Sequence, residues 1–158
     1  MTLEARDIHR DHLGALFKLK VHEDQKDQVA PNEVTLAQQA YEPAGTFVWG
    51  LWDGDTVVGL LAMIDLRDYE DTEDGDDVES AYIWRLLIGA EHQGKGYGRQ
   101  AMTLAEETAR DWGVPRVTLS IVEKPSGAQG FYEKCGYALT GRTIEDELQM
   151  SKALRDLP

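Results

Sequence analysis

The chain has 158 residues, 42% of them hydrophobic, with 29 acidic against 16 basic side chains and a net charge of −13. That is the length of one domain (1–158) with enough apolar residues for a real core. The surplus of acid has the wrong sign for docking on a phosphate backbone, so nucleic acid is not an expected partner. No apolar run is long enough for a bilayer, no membrane association is expected, and no signal-peptide pattern opens the chain. The single cysteine, Cys135, cannot close an internal disulfide, which suits a reducing cytoplasm. A field this negative attracts a small cationic substrate, or serves solubility alone.

Leu3 to Arg6 suits an edge strand. Ile8, Ala15, Leu16 and Leu19 share a helical face, predicting a first helix to about Val21. His22 to Asn32 is polar, contains Pro31, and reads as a loop or a broken helix. A short second helix follows over Val34 to Tyr41, with Asn32 near its start. Phe47 to Trp52 and Thr56 to Leu66 are β-branched, aromatic and aliphatic, and Asp53-Gly54 between them signals a hairpin. Nine carboxylates and one base, Arg67, lie between Asp65 and Glu79. So dense a run of like charge is a solvated loop, either a plain linker or an electrostatic lure for a polycation.

Glu79 to Ile88 reads as a central fourth strand. It leads into Gln93-Gly94-Lys95-Gly96-Tyr97-Gly98-Arg99, and a long helical pattern leads out with Ala101, Leu104, Ala105, Thr108, Ala109 and Trp112 on one stripe. Gly113 and Pro115 end that helix. Arg116 to Val122 is a fifth strand, parallel to the fourth in a βαβ unit. Ser126 to Cys135 is a short helix with a Ser126-x-x-Gln129 capping box and Gly136 as its stop. Two last strands lie near Tyr137 to Thr140 and Glu147 to Lys152.

A strand, a glycine turn and a helix N-terminus place several backbone N–H groups on one concave surface, which suits a phosphate or pyrophosphate. The spacing is neither the dinucleotide fingerprint, since Thr118 stands where an acid is expected, nor a P-loop. Cys135 falls on the buried face of its helix with no histidine at an evident pairing distance, which favours inert packing over an acyl-carrying role. His9, His12, His22 and His92 have no metal-site spacing with cysteine, and no metal is expected.

The order of elements, Gln93-x-x-Gly96-x-Gly98 and Phe131-Tyr132-Glu133-Lys134-Cys135-Gly136-Tyr137 together resemble the GNAT superfamily of acetyl-coenzyme A-dependent N-acetyltransferases. Val21-His22-Glu23-Asp24-Gln25, Gln28-Val29-Ala30-Pro31-Asn32, Leu36-Ala37-Gln38 and Ile83-Trp84-Arg85-Leu86-Leu87-Ile88 further resemble the bacterial spermine/spermidine branch, as do Leu139-Thr140-Gly141 and Glu147-Leu148-Gln149-Met150. The resemblance implies a mixed α/β fold of about seven mostly antiparallel strands, with a parallel, splayed pair formed by strands four and five, and about four helices. It implies acetyl-coenzyme A as cosubstrate, direct acetyl transfer to a primary amine, a polyamine or diamine acceptor, and a possible homodimer. Another amine (an aminoglycoside, an amino acid, a protein terminus or lysine) and a non-catalytic acyl-coenzyme A-binding module are the alternatives.

By the same resemblance the pantetheine arm pairs with Leu86, Leu87 and Ile88, the pyrophosphate meets the amides of Gly94, Lys95, Gly96, Tyr97, Gly98 and Arg99, and Gln93 also binds the cofactor. Ala128 lies beside the cofactor, a backbone N–H near Ile88 polarises the thioester carbonyl, and Tyr132 protonates the departing thiolate. Two residues depart from the family pattern. Pro125 replaces an asparagine, and Trp84 replaces the carboxylate that some polyamine enzymes carry on the fourth strand. Glu23, Glu33 and Glu79 remain as candidates for the acceptor site and the general base, with Trp84 beside them.

Overall fold

The computed structural model describes residues 2–42, 44–125 and 127–154. Its strands are β1 (Leu3–Asp7), β2 (Thr46–Asp53), β3 (Thr56–Asp65), β4 (Ser80–Ile88), β5 (Arg116–Ile121), β6 (Ala138–Ile144) and β7 (Glu147–Ala153). The helices are α1 (Leu13–Lys18), α2 (Asn32–Gln39), α3 (Tyr97–Trp112) and α4 (Gln129–Lys134), with single 3-10 turns at Arg10–His12, Glu23–Gln25 and Ala90–His92. The strands make one seven-stranded sheet in the order β1-β2-β3-β4-β5-β7-β6. Every neighbouring pair is antiparallel except β4 and β5. This is the mixed sheet with one parallel central pair that the sequence predicts.

Local chemistry explains the elements that frame the site. Asp53 pairs with Thr56, leaving Gly54 and Asp55 as the hairpin loop, and Gly54 takes φ 58° at the position where such turns need a left-handed residue. Gly113, at φ 77°, ends α3 and donates its N–H to Ala109 O and Arg110 O. Helix α3 buries Tyr97, Ala101, Met102, Ala105 and Ala109 in a cluster with Leu61, Met63, Ala81, Ile83, Val117 and Leu119. A second cluster, Leu16, Leu19, Val57 and Leu87, lies under α1. Consecutive Val57 and Val58 belong to different clusters, as alternation along a strand requires of the two faces of one sheet.

Some elements differ from expectation. Helix α1 ends at Lys18, because Leu19 turns extended at ψ 116° and Lys20 O accepts the Ala90 N–H at 2.7 Å; a long-range bond takes the chain out of the helix. Asn32 opens α2 without capping it, its buried side chain donating to Leu16 O at 2.9 Å. Along α3 the buried stripe includes Met102 and Glu106, whereas Leu104, Thr108 and Trp112 are half-buried. Glu106 is 7% exposed and accepts from Lys152 Nζ at 2.8 Å and Tyr137 OH at 3.2 Å, so its charge is paired rather than solvated. Helix α4 is shorter than predicted, and Ser126, its expected cap, lies outside the described residues. Strand β6 runs on to Ile144.

The acidic run is a loop between β3 and β4, as its charge requires. Asp65 is the exception: it ends β3, is buried, and pairs with Arg67 at 2.9 Å. The loop is pinned to the sheet at its far end, where Arg116 Nη2 donates to Asp77 Oδ1 at 3.0 Å. That guanidinium holds the Asp77 carboxyl below the usual carboxylate range. The stability this contributes is fully present above the unfolded value near 3.9 and is lost as pH falls through the lower folded value. Urea unfolding should show wild type ahead of Asp77→Asn by roughly 1 kcal/mol at pH 6, with the gap closing as pH falls below the usual carboxylate range. A gap that does not change with pH would refute the assignment.

Candidate active site

The site begins where β4 and β5 part. Their pairing runs from Ser80↔Arg116 to Ile83↔Leu119 and stops. At that point the register with β3 slips: Met63 faces Ile83 and Ala62 faces Arg85, leaving Trp84 as an extra residue on β4. A bulge of this kind bends its strand and ends pairing. Leu86 to Ile88 continue past the last β4–β5 pair with no strand partner on that side among the described residues. Gly89 N–H donates to Val58 O at 2.9 Å, so the alternation of an antiparallel ladder points the main-chain groups of Leu86 and Ile88 away from β3. Gln93 Nε2 donates to Ile88 O at 3.0 Å from that open side. The fork therefore presents the Leu86 and Ile88 N–H groups to whatever enters it. Leu87 is turned the other way: paired with Leu60 on β3 and packed under α1, it offers an incoming chain no main-chain group.

The glycine turn follows at once. Gly94 and Gly96 sit at φ 77° and 86°, and a Cβ on either would meet nothing within 4 Å. The turn thus uses glycine for its backbone shape and leaves open space in front of the amides. Gly98 is different, since a Cβ there would lie 3.1 Å from Phe131 Cζ on α4. The first bond inside α3 is Gln100 N–H to Gly96 O, 3.2 Å, so the amides of Gly98 and Arg99 have no carbonyl within the helix and project at its positive end. A cavity of about 490 Å³ opens here, lined by Leu86, Ile88, Gln93, Gly94, Gly96, Tyr97, Gly98, Arg99, Ala128 and Tyr132 among the predicted residues. Lys95 is exposed in the turn and does not line it.

Three of these side chains are already engaged. Gln93 exchanges two amide hydrogen bonds with Gln25, at 2.9 and 3.2 Å, locking the loop after α1 to the glycine turn. Tyr97 is buried in the core and donates its hydroxyl to Asp53, a bond that raises its phenol. Arg99 Nη2 donates to Lys134 O at 2.8 Å, joining α3 to the end of α4.

A second cavity, of about 510 Å³, lies on the other side of the fork. Asp27, Glu42, Asp71, Glu73, Asp76, Glu145 and Glu147 line it, against Lys26 and Arg85. Three of these carboxylates come from the acidic loop, which therefore borders a cavity instead of trailing in solvent. Trp84 also lines it, with the Arg85 guanidinium 4.8 Å from its ring. Gln28, Val29, Leu86 and Tyr132 line both cavities and mark where they meet. At that junction burial, with smaller contributions from Cys135 and Tyr82, pushes the Tyr132 phenol up to about 12. Cys135 is half-buried at the edge of the core, and burial pushes its thiol up, as packing rather than nucleophilic use would have it.

The three predicted carboxylates are not brought to the junction. Glu23 pairs with Lys26 at 2.8 Å, Glu33 with Lys20 at 2.8 Å, and Glu79 with Arg116 at 3.3 Å. None of the three lines either cavity. Sequence reasoning missed Glu147, Tyr82 and Ser120 as cavity residues; they lie on three strands with nothing local to join them, although Glu147 opens a stretch that matched the polyamine branch. It also missed Gln28 and Val29 as cavity residues, although both fall in a stretch that matched the polyamine branch.

Known proteins share this architecture. AAC(6')-Ib, solved with ribostamycin and coenzyme A, superposes with a TM-score of 0.75 at 19% identity, over 97% of this chain and 94% of that one. Spermidine N-acetyltransferase from Vibrio cholerae, solved with coenzyme A and spermine, gives 0.70 at 20% identity, over 96% and 95%. N-acetyltransferase 8F1 of Rattus norvegicus is 26% identical over 98 residues, 62% of this chain but 42% of that protein, so the chain matches less than half the length of this curated relative. The model of the acetyltransferase (GNAT) family matches residues 7–137. That span takes in both arms of the fork, the glycine turn and Tyr132, and the chain belongs to the acetyltransferase (GNAT) family.

Proposed function

We propose that this protein transfers the acetyl group of acetyl-coenzyme A directly to a primary amine of a polycationic acceptor, with polyamines such as spermidine as the leading class. One observation carries the reading: a cavity with outward main-chain amides and an acid-lined cavity meet at Tyr132 and Leu86. The residues fit the cosubstrate. Leu86 and Ile88 turn their N–H groups to the open side of β4, toward the pantetheine amides, and the glycine turn with the α3 N-terminus offers donors to a pyrophosphate. When bound, acetyl-coenzyme A supplies an activated thioester.

The chain's own groups supply the rest. The Ile88 N–H is placed to donate to a carbonyl oxygen on which charge builds, a preorganised interaction that strengthens as the reaction proceeds. Tyr132 stays protonated throughout the ordinary pH range and can donate to a developing thiolate. The seven carboxylates hold a polycation so that one of its amines reaches the junction. Spermine and ribostamycin, ligands of two structural neighbours, are both polycations, and the acid lining favours that common property.

Thiol release from acetyl-coenzyme A against spermidine, spermine, ribostamycin and single amino acids tests the reading. Spermidine should be turned over with a KM that rises on the order of tenfold between 0.05 and 0.5 M salt, as the screening length shrinks to a few ångströms, while a monoamine's KM changes little. Coenzyme binding with no thiol released by any acceptor would make the protein a binding module and sink the proposal.

A further inference from the structure

Three side chains outside the cofactor cradle form one hydrogen-bonded line along the acid-lined cavity. Tyr82 on β4 lies 2.6 Å from Ser120 Oγ on β5, and Ser120 Oγ lies 3.1 Å from Glu147 Oε1 on β7. The direction of the line is fixed by chemistry. An ionised carboxylate only accepts, and a serine has one proton to give. Ser120 therefore donates to Glu147 and accepts from Tyr82, which leaves the lone pairs of the Tyr82 oxygen for a donor arriving from the cavity. Ser120 is the first β5 residue past the last β4–β5 pair, so the line crosses at the fork. Tyr82, Ser120, Glu147 and Tyr132 all line the same cavity.

The chemistry of the site asks for such a device. An alkylammonium is neutral in only about one molecule in 10³ at pH 7, and only the neutral amine attacks. Resting on the acetyl-transfer reading, we propose that Tyr82, Ser120 and Glu147 form a proton relay that deprotonates the acceptor ammonium. An N–H proton passes to the Tyr82 oxygen as the Tyr82 proton moves to Ser120 Oγ and the Ser120 proton to Glu147. The products are a neutral amine and a protonated Glu147 carboxyl, with both hydroxyls restored, and the carboxyl then releases its proton to solvent at the cavity it lines, which draws the transfer forward and resets the relay. Tyr82 touches the acceptor and is the catalytic residue; Ser120 and Glu147 act through it.

Other charged and titratable groups face this line: Arg85 on β4, Tyr132 on α4, Asp76 in the acidic loop, Glu42 after α2, and Glu145 on the β6–β7 turn. Because Glu147 is one of the seven carboxylates lining the cavity, Glu147→Gln alters the cavity's charge as well as the relay. Ser120→Ala breaks the line without changing any charge and is the decisive variant.

The experiment measures kcat and KM by thiol release from acetyl-coenzyme A, with spermidine and with ribostamycin, from pH 6.5 to 10. It compares wild type with Tyr82→Phe, Ser120→Ala, Ser120→Thr and Glu147→Gln, and thermal melts check folding. Wild-type kcat/KM should vary little above pH 7. Ser120→Ala, Tyr82→Phe and Glu147→Gln should each lose about 10²-fold at pH 7. They should regain it with unit slope toward the amine's own pKa near 10.4, where no base is needed. KM of Ser120→Ala should stay within about twofold, and Ser120→Thr, which keeps a hydroxyl, should recover most of the loss. Profiles parallel to wild type, or a loss confined to the KM of Glu147→Gln, would overturn the relay and leave Glu147 a counter-ion. A wild-type protein that releases no thiol with any amine overturns acetyl transfer itself, whereas altered relays in an active enzyme test the relay alone.

Discussion

Tyr132→Phe is expected to lower kcat by about 10²-fold while leaving the dissociation constant of coenzyme A within about twofold. The ring packs edge-on to Phe131 at 5.1 Å and to Tyr137 at 6.3 Å, contacts that phenylalanine keeps, so fold and affinity should survive. What is lost is the hydroxyl at the junction. With its phenol near 12, Tyr132 is a weaker acid than an ordinary thiol at about 8.5. Complete proton transfer to a relaxed thiolate would therefore run uphill by roughly 4–5 kcal/mol. The hydroxyl contributes instead as a donor whose hydrogen bond strengthens as charge gathers on sulfur, an interaction that lowers the barrier without tightening binding. Steady-state kinetics and calorimetric coenzyme binding, read together, check it. Equal kcat in the two proteins would remove Tyr132 from the chemistry.

Gly59→Ala is expected to destabilise the fold by about 3 kcal/mol, near the upper end for overpacking, and to lower the melting temperature by roughly 10 °C. Gly59 pairs with Ile88 across β3 and β4. An added Cβ would fall 2.3 Å from Leu87 O and 2.9 Å from Ile88 Cδ1. The first of these is backbone and cannot rotate away, so β4 itself must move, carrying the Ile88 N–H with it. Loss of stability should therefore be accompanied by loss of coenzyme affinity, although residue 59 does not line the cavity at the glycine turn. Thermal melts and coenzyme titrations test this jointly. A melting temperature unchanged within a degree would show that β3 and β4 have slack here.

How much of this was legible in the sequence depended on how local the cause was. The Asp53-Gly54 hairpin, the glycine turn and the stop at Gly113 are written in neighbouring residues, and each stands where the pattern put it. So does the parallel pairing of β4 and β5, because a strand, a long helix and another strand leave little choice. The first helix was read too long because the Ala90 N–H that draws the chain out at Lys20 lies seventy residues away. Glu106 is missing from the stripe predicted for α3 for the same reason, its partners being Lys152 and Tyr137. The acceptor carboxylates are the least legible part. Composition and placement make Glu23, Glu33 and Glu79 candidates or plain surface acids, and each is held by a cation outside the cavities. The carboxylate that reaches the fork, Glu147, arrives on a strand whose place beside β5 is set by the whole sheet.

The unpaired residue at Trp84 also settles the phase of β4. Ala81 and Ile83 lie in the α3 cluster while Leu87 lies under α1, although all three are odd-numbered and would share one side of an uninterrupted strand. Upstream of the insertion the odd positions look toward the long helix; downstream it is Leu86 and Ile88 that do. The shape of the pocket is thus encoded in a count as much as in any side chain. Exchanging the tryptophan for another residue keeps that count, whereas shortening the chain by one there would swap inside for outside in everything that follows up to the glycines.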